Sequence, residues 1–268
     1  MQVYKAPLKD YKFLIKDFLN SGLSETILRN SEIEIDDLDI ILEEAAKLCE
    51  EILLPLNQIG DSEGCDFNKG KVTTPKGFKD AYKSFVENGW QGITVNKKYG
   101  GQNLPYFINM FLDEMISSSN MSFGLYLGLT SNAIDAIEKS ASEEIKSLYL
   151  PKLSTGQWSG TMNLTEPHCG TDLGLTKTMA YPQEDGSYRI TGTKIFITCG
   201  EHDMSENIIH LVLAKTPKAP EGIKGISLFV VPKIIPNADG SLSNYNSLEC
   251  GSIEKKMGIN ASPTCDMH

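Results

Sequence analysis

The apolar residues of this chain change period near residue 157. Before that point they recur every three or four positions, the spacing of a helix face; beyond it they alternate, the spacing of a strand. In "DDLDIILEEAAKLCEEILLPLN", Leu38, Ile41, Leu42, Ala45, Leu48, Cys49 and Ile52 share one stripe. Pro55 is expected to end that helix, because it has no N–H and its ring meets the carbonyl four residues back. In "KGFKDAYKSFVENG", Phe78, Tyr82, Phe85 and Val86 share a face and Gly89 supplies the stop. "YFINMFLDEMISSS" and "SNAIDAIEKSA" read as two further helices. "SEEIKSLYLPKL" reads as a last one, N-capped by Ser142 and stopping near Pro151. "GDSEGCDFNKGKVTTPKG" reads as a loop with one β-turn.

In the second half, "SYRITGTKIFIT" alternates Tyr188 and Ile190, then Ile195 and Ile197, on one face. "NIIHLVLAK" and "GISLFVVPK" are β-branched runs bounded by Gly and Pro, and Glu184 to Ser187 carries a hairpin-turn signal. Helices followed by strands predict an α+β chain of two domains rather than alternating βαβ units. The expected division is an N-terminal extension over 1–32, an all-α domain over 33–157 and a β domain over 158–268.

Charge and cysteine usage narrow the chemistry. A net charge of −10 argues against nucleic acid as the main partner, since a phosphate backbone rewards clustered Lys and Arg. The six cysteines form no Cys-x-x-Cys pair, which suits reduced thiols in the cytoplasm. No apolar run is long enough to span a membrane, and the first twenty residues lack the apolar centre of a signal peptide.

The stretch "MNLTEPHCGTDLGLTKT", Met162 to Thr178, concentrates the reactive residue types. His168-Cys169 and the Cys199/His202 pair are soft ligands, but tight ligand pairs on both sides of a zinc site are missing, so no metal is expected. There is no G-x-S-x-G elbow, and "YGGQ" and "TGTKIFITCG" match neither a P-loop nor a Rossmann fingerprint. Pro167 holds Glu166 extended; the carboxylate then either braces the loop through backbone amides or acts as an acid or base. On "KIFITCG", Phe196 and Thr198 are two apart and share a strand face. They form either a stacking and hydrogen-bonding surface for a planar heterocycle, or a core Phe with a surface Thr on a bulge.

Three segments in order resemble the acyl-CoA dehydrogenase family: "GWQGITVNKKYGGQNLP", the loop "MNLTEPHCGTD", and the strand "TGTKIFITCG". "YKAPLKDYKFLI", "LPLNQIGDSEGC", "TEPHCGTDLGL" and "ASPTC" further resemble the long bacterial subgroup with an extra N-terminal segment, which includes 3-methylthiopropionyl-CoA dehydrogenases. The resemblance implies an all-α domain, then an antiparallel β-barrel-like middle domain, with the family's C-terminal four-helix domain absent from these residues. It implies FAD as cofactor, an acyl-CoA as substrate, α,β-dehydrogenation of the thioester, an electron-transferring flavoprotein as acceptor, and a homo-oligomer at full length. It places the catalytic glutamate beyond His268, so no residue here is expected to be the base. By the same resemblance Met162, Leu164 and Thr165 lie against the flavin edge. Gly170 and Thr171 offer amide and hydroxyl to the flavin, Thr171 also to the substrate's pantetheine. Phe196, where many members have Trp, packs on the flavin ring with Ile197 beside it, and Thr198 hydrogen-bonds near the ring nitrogen N5. His168, Cys169, Asn96, Asn103 and Cys199 depart from the commoner family residues. Two rivals are a non-catalytic remnant of a split or decayed gene and an acyl-CoA oxidase.

Overall fold

The structure, a computed structural model, describes residues 3–18 and 35–268; part of the expected extension, residues 1–2 and 19–32, lies outside the described residues. Helix α1 (Leu8–Phe13) continues as a π-helical turn, Leu14–Phe18. It lays Tyr11 and Ile15 into the helical core, and the Tyr11 hydroxyl donates to Glu114 at 2.9 Å. Lys5 pairs with Glu50, and Lys12 and Lys16 pair with Glu43 and Asp39. Surface pairs of this kind add little, so the buried Tyr11 and Ile15 dominate the docking of this segment.

Pro55 does not end its helix. Helix α2 (Ile35–Lys47) passes through a π-helical turn, Leu48–Leu53, straight into α3 (Leu54–Glu63), with the proline in the first turn of α3. The π turn widens the backbone just before the proline, which eases the clash of its ring with the carbonyls of the preceding turn. Helix α4 (Phe78–Glu87) buries Phe78, Tyr82 and Phe85 and stops at Gly89, which takes φ 75°. The two helices read from residues 106–141 are present as the two halves of α5 (Tyr106–Ser140), separated by a kink at Asn120 with φ −155° and ψ 85°; the second half starts earlier than read. Asn120 caps the second half by accepting the Phe123 N–H, and its amide donates to the Leu53 carbonyl in the π turn. Two helix irregularities are thereby tied together in the core. Helix α6 (Glu143–Ser154) has Ser142 as its cap, as read. It runs three residues past Pro151, because Leu150 and Leu153 on either side are fully buried and their packing outweighs one lost hydrogen bond.

The segment read as a loop holds a hairpin, β1 (Asp66–Asn68) with β2 (Lys71–Thr73). Its Lys69-Gly70 turn has both φ angles positive, at 49° and 80°, which suits the twist of paired strands. Strand β3 (Trp158–Asn163) then begins the main sheet, with β4 (Met179–Pro182), β5 (Tyr188–Thr191), β7 (Asn207–Lys215) and β8 (Ile226–Pro232). The β domain is not purely antiparallel. β3 runs parallel to β7 over six residue pairs, and β4 meets the end of β7 in the same sense. Buried on both faces, β7 reads as the near-continuous apolar run typical of such a strand. Strand β6 (Lys194–Thr198) belongs to a second sheet with β11 (Cys250–Ile253) and β12 (Thr264–Met267), while β9 (Ile234–Pro236) pairs with β10 (Leu242–Tyr245). The alternation read across residues 188–198 therefore spans two sheets, not one face.

β3 joins the halves. Trp158 packs with Ile134, Ile137, Leu150 and Leu153 of α5 and α6. A Cβ on Gly160 would lie 2.5 Å from that of Ala133, so glycine is what lets strand and helix approach. The alternate residues Ser159, Thr161 and Asn163 make their bonds on the β-domain side.

Candidate functional site

Two segments thirty residues apart in sequence meet at the end of β3. The loop Leu164 to Thr171 leaves β3, and β6 lies beside it. The Ile195 N–H donates to the Thr165 carbonyl at 2.9 Å, and the Thr161 hydroxyl donates to the Thr198 carbonyl at 2.7 Å. Glu166 and Cys169 exchange both backbone hydrogen bonds, so Pro167 and His168 form a tight turn.

The Glu166 residue is 3% exposed, and both carboxylate oxygens accept hydrogen bonds. Its Oε1 accepts the Thr178 hydroxyl (2.6 Å), the Thr178 N–H (3.1 Å) and the Lys194 ammonium (2.8 Å); Oε2 accepts the Lys177 N–H (2.8 Å). Burial by itself would raise its pKa, but Lys194, the Thr178 hydroxyl and the two amides outweigh burial and hold it at about 2. His168 Nε2 also lies 3.4 Å from Oε2. A buried carboxylate held ionised by these donors braces the loop. Lys194 also donates to the Leu164 carbonyl at 3.0 Å. Neither Lys194 nor Thr178 is singled out by sequence reasoning. The available signal is a lysine sharing the strand parity of Phe196 and Thr198, a position where a solvated charge is out of place.

Phe196 is 56% exposed, so it is not a core residue. It sits at φ 59°, a left-handed conformation uncommon for a bulky side chain, on a bulge where two residues of β6, Ile195 and Phe196, face one of β12, Asp266. Thr198, Met162, Leu164 and Thr165 are half-buried, and Gly170 and Thr171 are exposed. Among the described residues nothing lies within 4 Å of a Cβ built on Gly170. Ile197 stands apart: its side chain is buried with Val72, Cys265 and Met267. From there it faces the core and leaves only its backbone toward the strand's surroundings.

The other polar residues are structural. The Cys169 thiol lies 3.6 Å from the Thr176 hydroxyl. His168 Nε2 lies 3.1 Å from the Leu175 carbonyl, which can only accept, so that nitrogen carries the proton. His202 is buried with both nitrogens engaged: Nδ1 accepts the Met204 N–H and Nε2 meets Ser159. Cys199, at φ 54°, meets Ser262. No group of three or more potential metal ligands exists among the described residues. "YGGQ" is a turn: Gly100 takes φ 83°, and a Cβ on Gly101 would lie 2.0 Å from the Val95 carbonyl oxygen. Asn96 caps this turn through the Lys98 N–H, and Asn103 takes φ 56°, a conformation asparagine tolerates better than most residues other than glycine.

A helical domain joined through a shared core to a β domain, with a braced polar loop beside a bulged aromatic strand, defines the class of protein. The chain belongs to the acyl-CoA dehydrogenase family: the description "Acyl-CoA dehydrogenase, N-terminal domain" matches residues 36–157 and "Acyl-CoA dehydrogenase, middle domain" matches 161–268. It is 49% identical to the 3-methylmercaptopropionyl-CoA dehydrogenase of Ruegeria pomeroyi over 98% of this chain and 45% of that protein. The acyl-CoA dehydrogenase of Geobacillus kaustophilus superimposes with a TM-score of 0.70 at 25% identity, covering 89% of this chain and 56% of that one. An acyl-CoA dehydrogenase of Bacillus anthracis, solved with FAD, shares the fold with a TM-score of 0.68 at 24% identity, over 88% of this chain and 35% of that one. The chain spans less than half the length of the curated relatives that match it over nearly all its residues. Among the described residues no helix is long and apolar enough to cross a membrane.

Proposed function

We propose that this chain forms one wall of the FAD and acyl-CoA site of an enzyme that introduces an α,β double bond into an acyl-CoA thioester. The observation that carries the reading is the meeting of the Leu164–Thr171 loop with the bulge of β6, which leaves Phe196 exposed next to half-buried hydroxyls. The residues fit a planar cofactor. Phe196 is exposed, and Gly170 is exposed with open space beside it. When bound, FAD supplies the two-electron acceptor for the hydrogen leaving the β-carbon.

The chain's own residues then orient and polarise. Phe196 stacks, and Thr198 and Thr165 place hydroxyls at the ring edge. Exposed Thr171 and the Gly170 amide serve the flavin and the pantetheine arm, while Met162 and Leu164 line the edge. Fixed donors at positions where negative charge develops stabilise it without reorganisation. Glu166 is no base in this scheme, since its buried carboxylate is held by Lys194, the Thr178 hydroxyl and two backbone amides. The electrons pass onward to an electron-transferring flavoprotein.

The test is to produce the chain together with the remainder of the Ruegeria pomeroyi relative and record its flavin spectrum. Retained FAD that bleaches on adding an acyl-CoA without oxygen is expected, with binding weakened in Phe196→Ala. A colourless protein that acyl-CoA leaves unchanged refutes the reading. Hydrogen peroxide released on turnover in air, with no reduction of an electron-transferring flavoprotein, refutes the acceptor.

A further inference from the structure

The buried pair Lys194–Glu166 stands out in the β domain: both side chains are at most 4% exposed and their charged atoms are 2.8 Å apart. A buried ion pair is weak evidence for stability, because desolvation offsets the attraction and apolar replacements of both partners are often neutral. What such a pair can supply is register, since a misplaced partner leaves a bare charge in the interior.

Its location matters for that reason. Glu166 ties three segments together: its own loop, Lys177-Thr178 at the entry to β4, and Lys194 at the start of β6. Lys194 returns to the loop through the Leu164 carbonyl. Phe196 lies two residues beyond in a left-handed conformation that persists only when its surroundings over-determine it. β6 is pinned on both sides of that bulge. Lys194 holds one side, the Ile195 N–H reinforces it at Thr165, and the Thr198 carbonyl is held by Thr161 on the other. β12 pairs with Lys194, Ile197 and Thr198 but skips the bulged residues, so it does not fix Phe196.

We propose that Lys194 and Glu166 are positioning residues, which hold Leu164, Thr165 and Gly170 of the loop and Phe196 and Thr198 of the strand in one arrangement that accepts a planar cofactor. The arrangement of loop and strand stands on the geometry alone; the cofactor part rests on the functional reading above. Neither residue touches the reacting atoms.

The test compares wild type with the double variant Glu166→Gln/Lys194→Met, which removes both charges with little change in volume. Phe196 is labelled with a fluorinated phenylalanine, and its fluorine resonance is recorded without cofactor alongside hydrogen exchange of residues 164–171 and 194–199. Wild type should give one sharp resonance and slow exchange. The double variant, compared where it is folded, should give a shifted or split resonance, faster exchange, and FAD binding at least tenfold weaker. Thr178→Val, which removes one hydroxyl from Glu166, should shift the same readouts less and covers the case in which the double variant fails to fold. An unchanged resonance and unchanged exchange in a folded double variant, or in Thr178→Val if the double variant does not fold, overturn the proposal. If wild type itself takes up no FAD, the functional reading falls while the fluorine and exchange results still decide the positioning role.

Discussion

Lowering the pH from 6.5 to 4.5 is expected to destabilise the β domain through two buried histidines. His202 and His210 are at most 2% exposed. Burial, with a smaller contribution from the Lys233 charge, pushes both pKa values down to about 3, from 6.5 in the unfolded chain. His202 is locked neutral, because its Nδ1 accepts the Met204 N–H and its Nε2 heads a chain through Ser159 and Ser205 to the Asn207 carbonyl. His210 accepts from Asn163 at Nδ1, while its buried Nε2 has no hydrogen-bond partner among the described residues. Between the two pKa values the unfolded state binds the protons and the folded state does not. Stability is therefore complete above pH 6.5 and is lost as pH falls toward 3. Each histidine costs about 1.4 kcal/mol per pH unit, so the pair removes about 5 kcal/mol by pH 4.5. That is a large share of the roughly 5–15 kcal/mol that holds a folded protein together. Glu166 acts in the same direction in a lower window: its folded pKa near 2 lies below 4.5, so its contribution is lost only as pH falls from 4.5. The assay is urea unfolding followed by fluorescence of Trp90 and Trp158 at half-unit pH steps. A midpoint that stays level from pH 6.5 to 4.5 would refute the assignment of two neutral buried imidazoles.

Three substitutions test the packing that presents the site. Gly101→Ala would drive a Cβ to 2.0 Å from the Val95 carbonyl oxygen and is expected to cost about 3 kcal/mol or more in urea unfolding, by the overpacking that rigid backbone cannot relieve. Gly160→Ala would wedge β3 from α5 and cost about 1–3 kcal/mol; adding Ala133→Gly should recover part of that loss, and no coupling in the double-mutant cycle would contradict the contact. Asn120→Ala removes the helix cap and the amide bond to the Leu53 carbonyl, for a loss of about 1–3 kcal/mol measured the same way.

Much of the architecture can be read from local pattern. The stripe Phe78, Tyr82, Phe85 marks α4, Ser142 marks the start of α6, and Glu184 to Ser187 marks a turn, because each signal acts over a few residues. The prolines mislead. Pro55 and Pro151 read as stops, and both sit inside continuous helix, since a π turn in one case and two buried leucines in the other supply what the local rule leaves out. The Asn68-Lys69-Gly70 turn was legible in principle, but its strands are only three residues each, too short for an alternating pattern. Of the candidate site, the loop and the strand are recognisable as segments, and bracing by Glu166 is one of two readings the residues allow. Burial and bonding of the carboxylate decide between them.

By itself, the sequence determined the change from helices to strands, the identity of the two segments that make the candidate site and the family they resemble, because periodicity and motif are properties of neighbouring residues. Only the tertiary structure decided that β3 and β7 run parallel, that Phe196 turns outward on a bulge while Ile197 turns in, and that Lys194 neutralises Glu166. Those features depend on contacts between residues tens of positions apart, and a buried charge reveals its partner only when the chain has closed around both.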